Sequence, residues 1–191
     1  MLDDAEITMM MEPELGTQMI YEFVNTGDCS RNFLDQNTPE VRKVYPPNST
    51  VIVYNECSVV QLLGEITKLV VEKNTGTIVL GQMEEWDQVS TNSIVIKSSD
   101  STIYSSNTVA SLEIQDLGAD SHFFQYGMIT EHVDIKRIAA TAKVSLMAVT
   151  SQTPPTFDFW IEQNCGTVRV WEPRDEWNSY INNTNCVGAN G

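Results

Sequence analysis

The chain has 191 residues, 41% of them hydrophobic and 19% charged, which suits one large globular domain and is too apolar for a disordered chain. Its 26 acids against 11 Lys and Arg give a formal charge of -15, which argues against direct binding of nucleic acid or anionic membranes, since both need clustered cations. The 19 Val, 14 Ile and 18 Thr outnumber 10 Leu and 8 Ala, so residues stiffened by β-branching prevail over the best helix formers, and strands are expected.

Residues 1–15 carry five acids and the run Met9, Met10, Met11, and read as an N-terminal arm or peripheral strand. There is no basic, apolar leader and no stretch of about 20 apolar residues that could span a bilayer. Met19 to Val24 alternates with period two and predicts a strand. Residues 25–50 read as loop, with a short strand at Val41 to Tyr45 and a turn at Pro46-Pro47-Asn48. Val51 to Glu56 predicts a central strand. Ser58 to Lys68 is the expected helix, because Val59, Leu62, Leu63 and Ile66 fall at helical spacing behind a capping serine. Leu69 to Lys73 and Thr77 to Leu80 flank Asn74-Thr75-Gly76, which predicts a hairpin with Val71 opposite Val79.

Strands follow at Ser93–Lys97, Thr102–Ser105 and Val109–Gln115, then a long one over residues 140–148. The last predicted hairpin joins Phe157, Phe159 and Ile161 to Val168 and Val170, with both apolar sets on one core-facing side and Arg169 facing Trp160. These elements imply an all-β fold, an antiparallel β-sandwich or jelly roll with at most one or two short helices. It would comprise an arm at 1–15, one domain at 16–181 and a polar tail at 182–191, without internal repeats.

Chemistry-bearing motifs are sparse. There is no nucleophile-elbow, phosphate-loop or zinc spacing. Cys29, Cys57, Cys165 and Cys186 are read as reduced thiols. His122 and His132, with Glu131 or Asp134, could approach one another across a hairpin as metal ligands, and Glu113, Asp116 and Asp120 could offer oxygens to calcium without EF-hand spacing. No cofactor is expected. Glu84, Glu85, Asp87, Asp158 and Glu162 are candidates for a glycosidase acid pair, the most plausible enzymatic reading.

The aromatic residues Trp160, Trp171, Trp177 and Tyr180 cluster late in the chain. The leading expectation is therefore a non-enzymatic subunit of a larger assembly, such as a viral capsid, surface or decoration protein. Its partners would be copies of itself or other subunits, met through Trp171, Trp177, Tyr180 and Met9, Met10, Met11. The alternative is a carbohydrate-binding domain that stacks sugars on the late aromatics.

Overall fold

The computed structural model describes residues 18–26, 41–56, 58–82, 89–147, 158–172 and 176–180. They form thirteen strands: β1 (Met19–Asn25), β2 (Val41–Asn55), β3 (Val59–Asn74), β4 (Thr77–Leu80), β5 (Ser90–Ile96), β6 (Thr102–Ser105), β7 (Thr108–Ile114), β8 (His122–Gln125), β9 (Ile129–Ile138), β10 (Lys143–Met147), β11 (Asp158–Asn164), β12 (Thr167–Glu172) and β13 (Glu176–Tyr180). Twelve of them pair in parallel as a β-solenoid of about five turns, and β13 adds to β12 antiparallel.

A parallel pair needs a long crossover, and here each crossover is a strand of the opposite wall. Wall A stacks the first halves of β2 and β3, then β4, β6, β8, β10 and β12. Wall B stacks β1, the second halves of β2 and β3, then β5, β7, β9 and β11. The chain passes from one wall to the other twice per turn.

Strands β2 and β3 run through both walls, so each must bend. In β3 the bend is at Gly64, whose φ is 97° and where a Cβ would stand 2.1 Å from the Tyr45 carbonyl oxygen. Only glycine fits a left-handed residue packed that closely against backbone. In β2 the bend is at Asn48, with φ 64°, and the pairing register shifts between Tyr45 and Ser49. The Pro46-Pro47-Asn48 turn predicted from sequence is this corner, set inside a long strand.

In-register stacking turns each inward position into a row along the axis. On wall A one row is Val60, Ile78, Ile103, Phe123, Val144 and Val168, all fully buried. On wall B the rows Tyr21, Val51, Leu69, Ile94, Leu112, Val133 and Phe23, Val53, Val71, Ile96, Ile114, Ile135 face them, and both walls share one core cluster. Burying each such side chain contributes about 1.5–3 kcal/mol.

The corner that leads from wall B to wall A is filled by amides. Asn25 Nδ2 donates to Asn55 Oδ1 at 2.8 Å, Asn55 Nδ2 to Asn74 Oδ1 at 3.0 Å, and Asn74 Nδ2 to Ser99 Oγ at 3.1 Å. Asn55, Asn74 and Ser99 are buried. Isolated bridges carry the same column from Asn74 through Ser99 and Leu117 to Ile138, so it is polar in the early turns and apolar in the later ones.

Several expectations are corrected here. The sandwich or jelly roll is replaced by the parallel solenoid, because β11 and β12, the predicted hairpin, lie in different walls and pair with β9 and β10 respectively. The facing of Val168 and Val170 into the core is as expected, and Ile161 packs against it; Phe157 lies outside the described residues, as does the side chain of Phe159. The hairpin at Asn74-Thr75-Gly76 is a corner, after which β4 pairs in parallel with the start of β3, placing Ile78 beside Val60.

The predicted helix at Ser58 to Lys68 is strand: Val60, Leu62 and Ile66 share one parity and are fully buried, and parallel neighbours on both sides favour the extended form. An internal repeat exists in structure. Cys165 is disulfide-bonded, against the expectation of reduced thiols, and the other three cysteines lie outside the described residues.

Asn55 sits in the middle of the amide column, so Asn55→Leu keeps the volume while removing the donor to Asn74 Oδ1 and the Ser58 carbonyl. Each buried unsatisfied group costs about 1–3 kcal/mol, and denaturant unfolding of the variant is expected to show a loss of about 2–4 kcal/mol. A loss below about 1 kcal/mol would mean that the column does not hold this corner.

Candidate functional site on the outer face of wall A

Outward positions also stack into rows, and the two walls carry different chemistry. On wall B the outward face and the corner beside it are laced by exposed ion pairs. Lys73 meets Glu56 at 3.1 Å, Lys97 meets Glu72 at 2.6 Å, Lys136 meets Glu113 at 2.9 Å and Arg137 meets Asp116 at 2.7 Å. Each joins neighbouring turns, and where two acids stack, Glu113 on Asp134, Lys136 lies within 3.8 Å of the second as well. Exposed pairs of this kind contribute little to stability. They occupy Glu113 and Asp116, two of the three proposed calcium ligands.

On wall A the outward row reads Gln61, Val79, Tyr104, Phe124, Ser145 and Arg169. The rings of Tyr104 and Phe124 stack at 5.2 Å between centroids, 8° from parallel. Tyr126, two residues along from Phe124 and so on the same face, stacks on Phe124 at 5.8 Å. His122, two residues before it, lies 3.5 Å from the Phe124 ring. Strand spacing of about 4.8 Å falls within the roughly 4.5–7 Å centroid separation of offset-stacked rings, which is why aromatics in one row of a parallel wall pile face to face.

The pile stops at the next turn, where the row holds Ser145 and then Arg169. A cleft of about 260 Å³ opens there, lined by His122, Phe124, Lys143, Val144, Ser145, Thr167 and Arg169. Two strand spacings, about 10 Å, separate the row positions of Phe124 and Arg169. Over the small Ser145 this leaves a slot about one ring deep, with aromatic rings on one side and a guanidinium on the other. Its volume lies just under the usual range of about 300–1,000 Å³ for small-molecule sites, so it suits a single ring-sized unit.

His122 Nε2 is 3.2 Å from Ser145 Oγ, which holds the imidazole at the mouth of the slot. Burial, reinforced by the positive charges of Lys143 and Arg169, lowers its pKa to about 4. The ring is therefore neutral at pH 7 and carries one donor and one acceptor nitrogen. Burial, with Tyr126 beside it, raises the pKa of Tyr104, so its hydroxyl stays protonated.

The residues singled out from sequence are dispersed. His122 is on wall A and His132 on wall B, so they are not joined across a hairpin, and among the described residues no group of three His, Cys, Asp or Glu is placed to hold a metal. Trp160 is on wall B, 61% exposed, with its indole Nε1 donating to Glu162 at 3.3 Å; Arg169 is on wall A, so the two do not meet. Trp171 and Trp177 are register partners in β12 and β13, and Tyr180 pairs with Val168, but their side chains lie outside the described residues. So do Met9, Met10, Met11, Glu84, Glu85 and Asp87.

Sequence reasoning missed Tyr104, Phe124, Tyr126, Lys143, Ser145, Thr167 and the true neighbours of Arg169. The one available signal was the outward spacing of His122, Phe124 and Tyr126. No family model, curated protein or solved structure matches this chain.

The depressed His122 pKa has a defined consequence for stability. Its folded value of about 4 lies below the ordinary value near 6.5, so the fold favours the neutral ring. That contribution is fully present above about pH 6.5 and is lost as pH falls towards 4. In unfolding measurements from pH 7.5 to 4, the gap between the wild type and His122→Gln is expected to move against the wild type on acidification, with the His122 ring titrating near pH 4 by NMR. A ring that titrates near 6.5, with a gap independent of pH, would contradict this.

Proposed function

We propose that this chain is a non-enzymatic, carbohydrate-binding β-solenoid whose slot on wall A takes one sugar ring of a glycan. The observation that carries the reading is the interrupted aromatic pile. It ends in half-buried His122 and Phe124 beside the small Ser145, so the slot has an aromatic side for the CH face of a sugar. Hydroxyl and imidazole groups of Ser145, Thr167 and His122 are there to meet sugar hydroxyls. Among the described residues the lining contains no carboxylate, and glycoside hydrolysis in its common form needs two, which favours binding over turnover at this cleft.

Phe124→Ala removes the ring that walls the slot. Calorimetric titration with a panel of oligosaccharides is expected to find a ligand whose affinity falls about tenfold or more in the variant, corresponding to about 1.4 kcal/mol, while circular dichroism remains that of the wild type. Unchanged affinity in a folded variant would rule out sugar binding at this slot.

The assembly reading keeps one specific support. Among the described residues β1 has a strand partner on one side only, and Ile20 and Val24 on it are 55% and 45% exposed, with Val44 of β2 at 74%. An open edge with apolar neighbours favours contact between chains. At a charge of -15, copies repel, so association is expected to strengthen with salt in light scattering and to weaken in the Ile20→Lys/Val24→Lys variant. A monomer at every salt concentration would remove this reading.

A further inference from the structure

We infer that the slot selects an anionic sugar unit, a uronate or a sulfate ester, whose acid group is held between Lys143 and Arg169. The inference rests on the carbohydrate reading of the same cleft and goes further by naming the ligand's charge. The first observation is composition: of the seven described lining residues two are cations and none is an acid, in a chain with 11 Lys and Arg against 26 Asp and Glu. A cleft so unlike the rest of the molecule is a local positive region on an acidic protein.

The second observation is pairing. Lys73, Lys97, Lys136 and Arg137 on the other side of the solenoid each hold a carboxylate, whereas Lys143 and Arg169, like Arg42, Lys43 and Lys68, have no ion pair among the described residues, and of these five only Lys143 and Arg169 line the cleft together. The register explains their convergence. Lys143 pairs with Thr167 and Ser145 with Arg169, so the two cations occupy diagonal positions on the same outward face of adjacent strands, one on each side of Ser145 and Thr167. A carboxylate or sulfate over that diamond can accept from the guanidinium fork, the ammonium and the two hydroxyls.

The third observation is the state of His122. The same two cations help to hold it neutral, so it does not add a third charge and remains free to accept a hydrogen bond from a sugar hydroxyl. An anion seated between Lys143 and Arg169 offsets their field at the imidazole. Binding and protonation of His122 are thereby coupled, and ligand is expected to raise the pH at which the ring titrates.

The test is calorimetric titration of the full chain at pH 7 with trigalacturonate, neutral galactotriose and a sulfated galactotriose, at low salt and at 0.5 M salt, together with NMR titration of His122. At least one acidic trisaccharide is expected to bind ten times or more tighter than the neutral one, less so at high salt, and to shift the His122 titration upward. The tighter of the two acidic ligands identifies carboxylate or sulfate as the source of the charge.

Lys143→Gln/Arg169→Gln, checked for an unchanged melting temperature, is expected to lose that preference and keep the binding of the neutral sugar. If that pair unfolds, each single variant read by the salt dependence of binding serves instead. Galactotriose bound as tightly as both acidic sugars would overturn the inference and leave the carbohydrate reading standing. Binding of none of the three would overturn both.

Discussion

The structure depends on one constraint, the in-register stacking of parallel strands, which puts each inward side chain on a like side chain one spacing of about 4.8 Å away. Every other feature follows from the rows this makes. Among the described residues the apolar rows through Phe123 on wall A and Leu112 on wall B form one core with no helix in it. The same rule lets Asn25, Asn55 and Asn74 satisfy one another, because an amide carries both donor and acceptor and can pass a hydrogen bond from turn to turn. An isolated buried asparagine would be costly, whereas in a column each stabilises the next.

Stacking also acts on the outside, where it turns single residues into surfaces. A lone Tyr104 would be an ordinary half-exposed tyrosine; placed one turn before Phe124 it becomes part of a pile of rings. A lone Ser145 would be unremarkable, but as the first small residue after that pile it makes a slot. On wall B the identical rule produces ion pairs between turns, in which Lys97 and Lys136 neutralise Glu72 and Glu113. The two faces thus share one geometry and differ in what the rows contain. Among the described residues most cations of wall B are paired, whereas Lys143 and Arg169 on wall A are not.

Much of the strand content was legible in the sequence. Thr102–Ser105 was placed to the residue and β7 nearly so, and the inward parity of Val168 and Val170 was read correctly from alternation alone; the long strand expected over residues 140–148 starts only at Lys143, with Ala140 exposed in the turn before it. Alternation reports which side of a strand is apolar and says nothing about which strand lies beside it, so the parallel arrangement was invisible. A fixed period would have exposed it. The row Val60, Ile78, Ile103, Phe123, Val144, Val168 has spacings of 18, 25, 20, 21 and 24 residues, because corner segments vary in length, and this variation erases the repeat. The candidate site was hidden for the same reason, since Phe124, Ser145 and Arg169 are neighbours only through stacking. The error at Ser58 to Lys68 is different: Val59, Leu62 and Ile66 fit helical spacing, and only the neighbouring strands decide the outcome.

The parallel stacking itself is tested most directly by backbone NOE spectroscopy on an isotopically labelled sample. The account predicts cross-strand contacts from Phe123 to both Ile103 and Val144, and from Val144 on to Val168. Antiparallel contacts that pair Ile161 directly with Val168, with none between Phe123 and Val144, would contradict it.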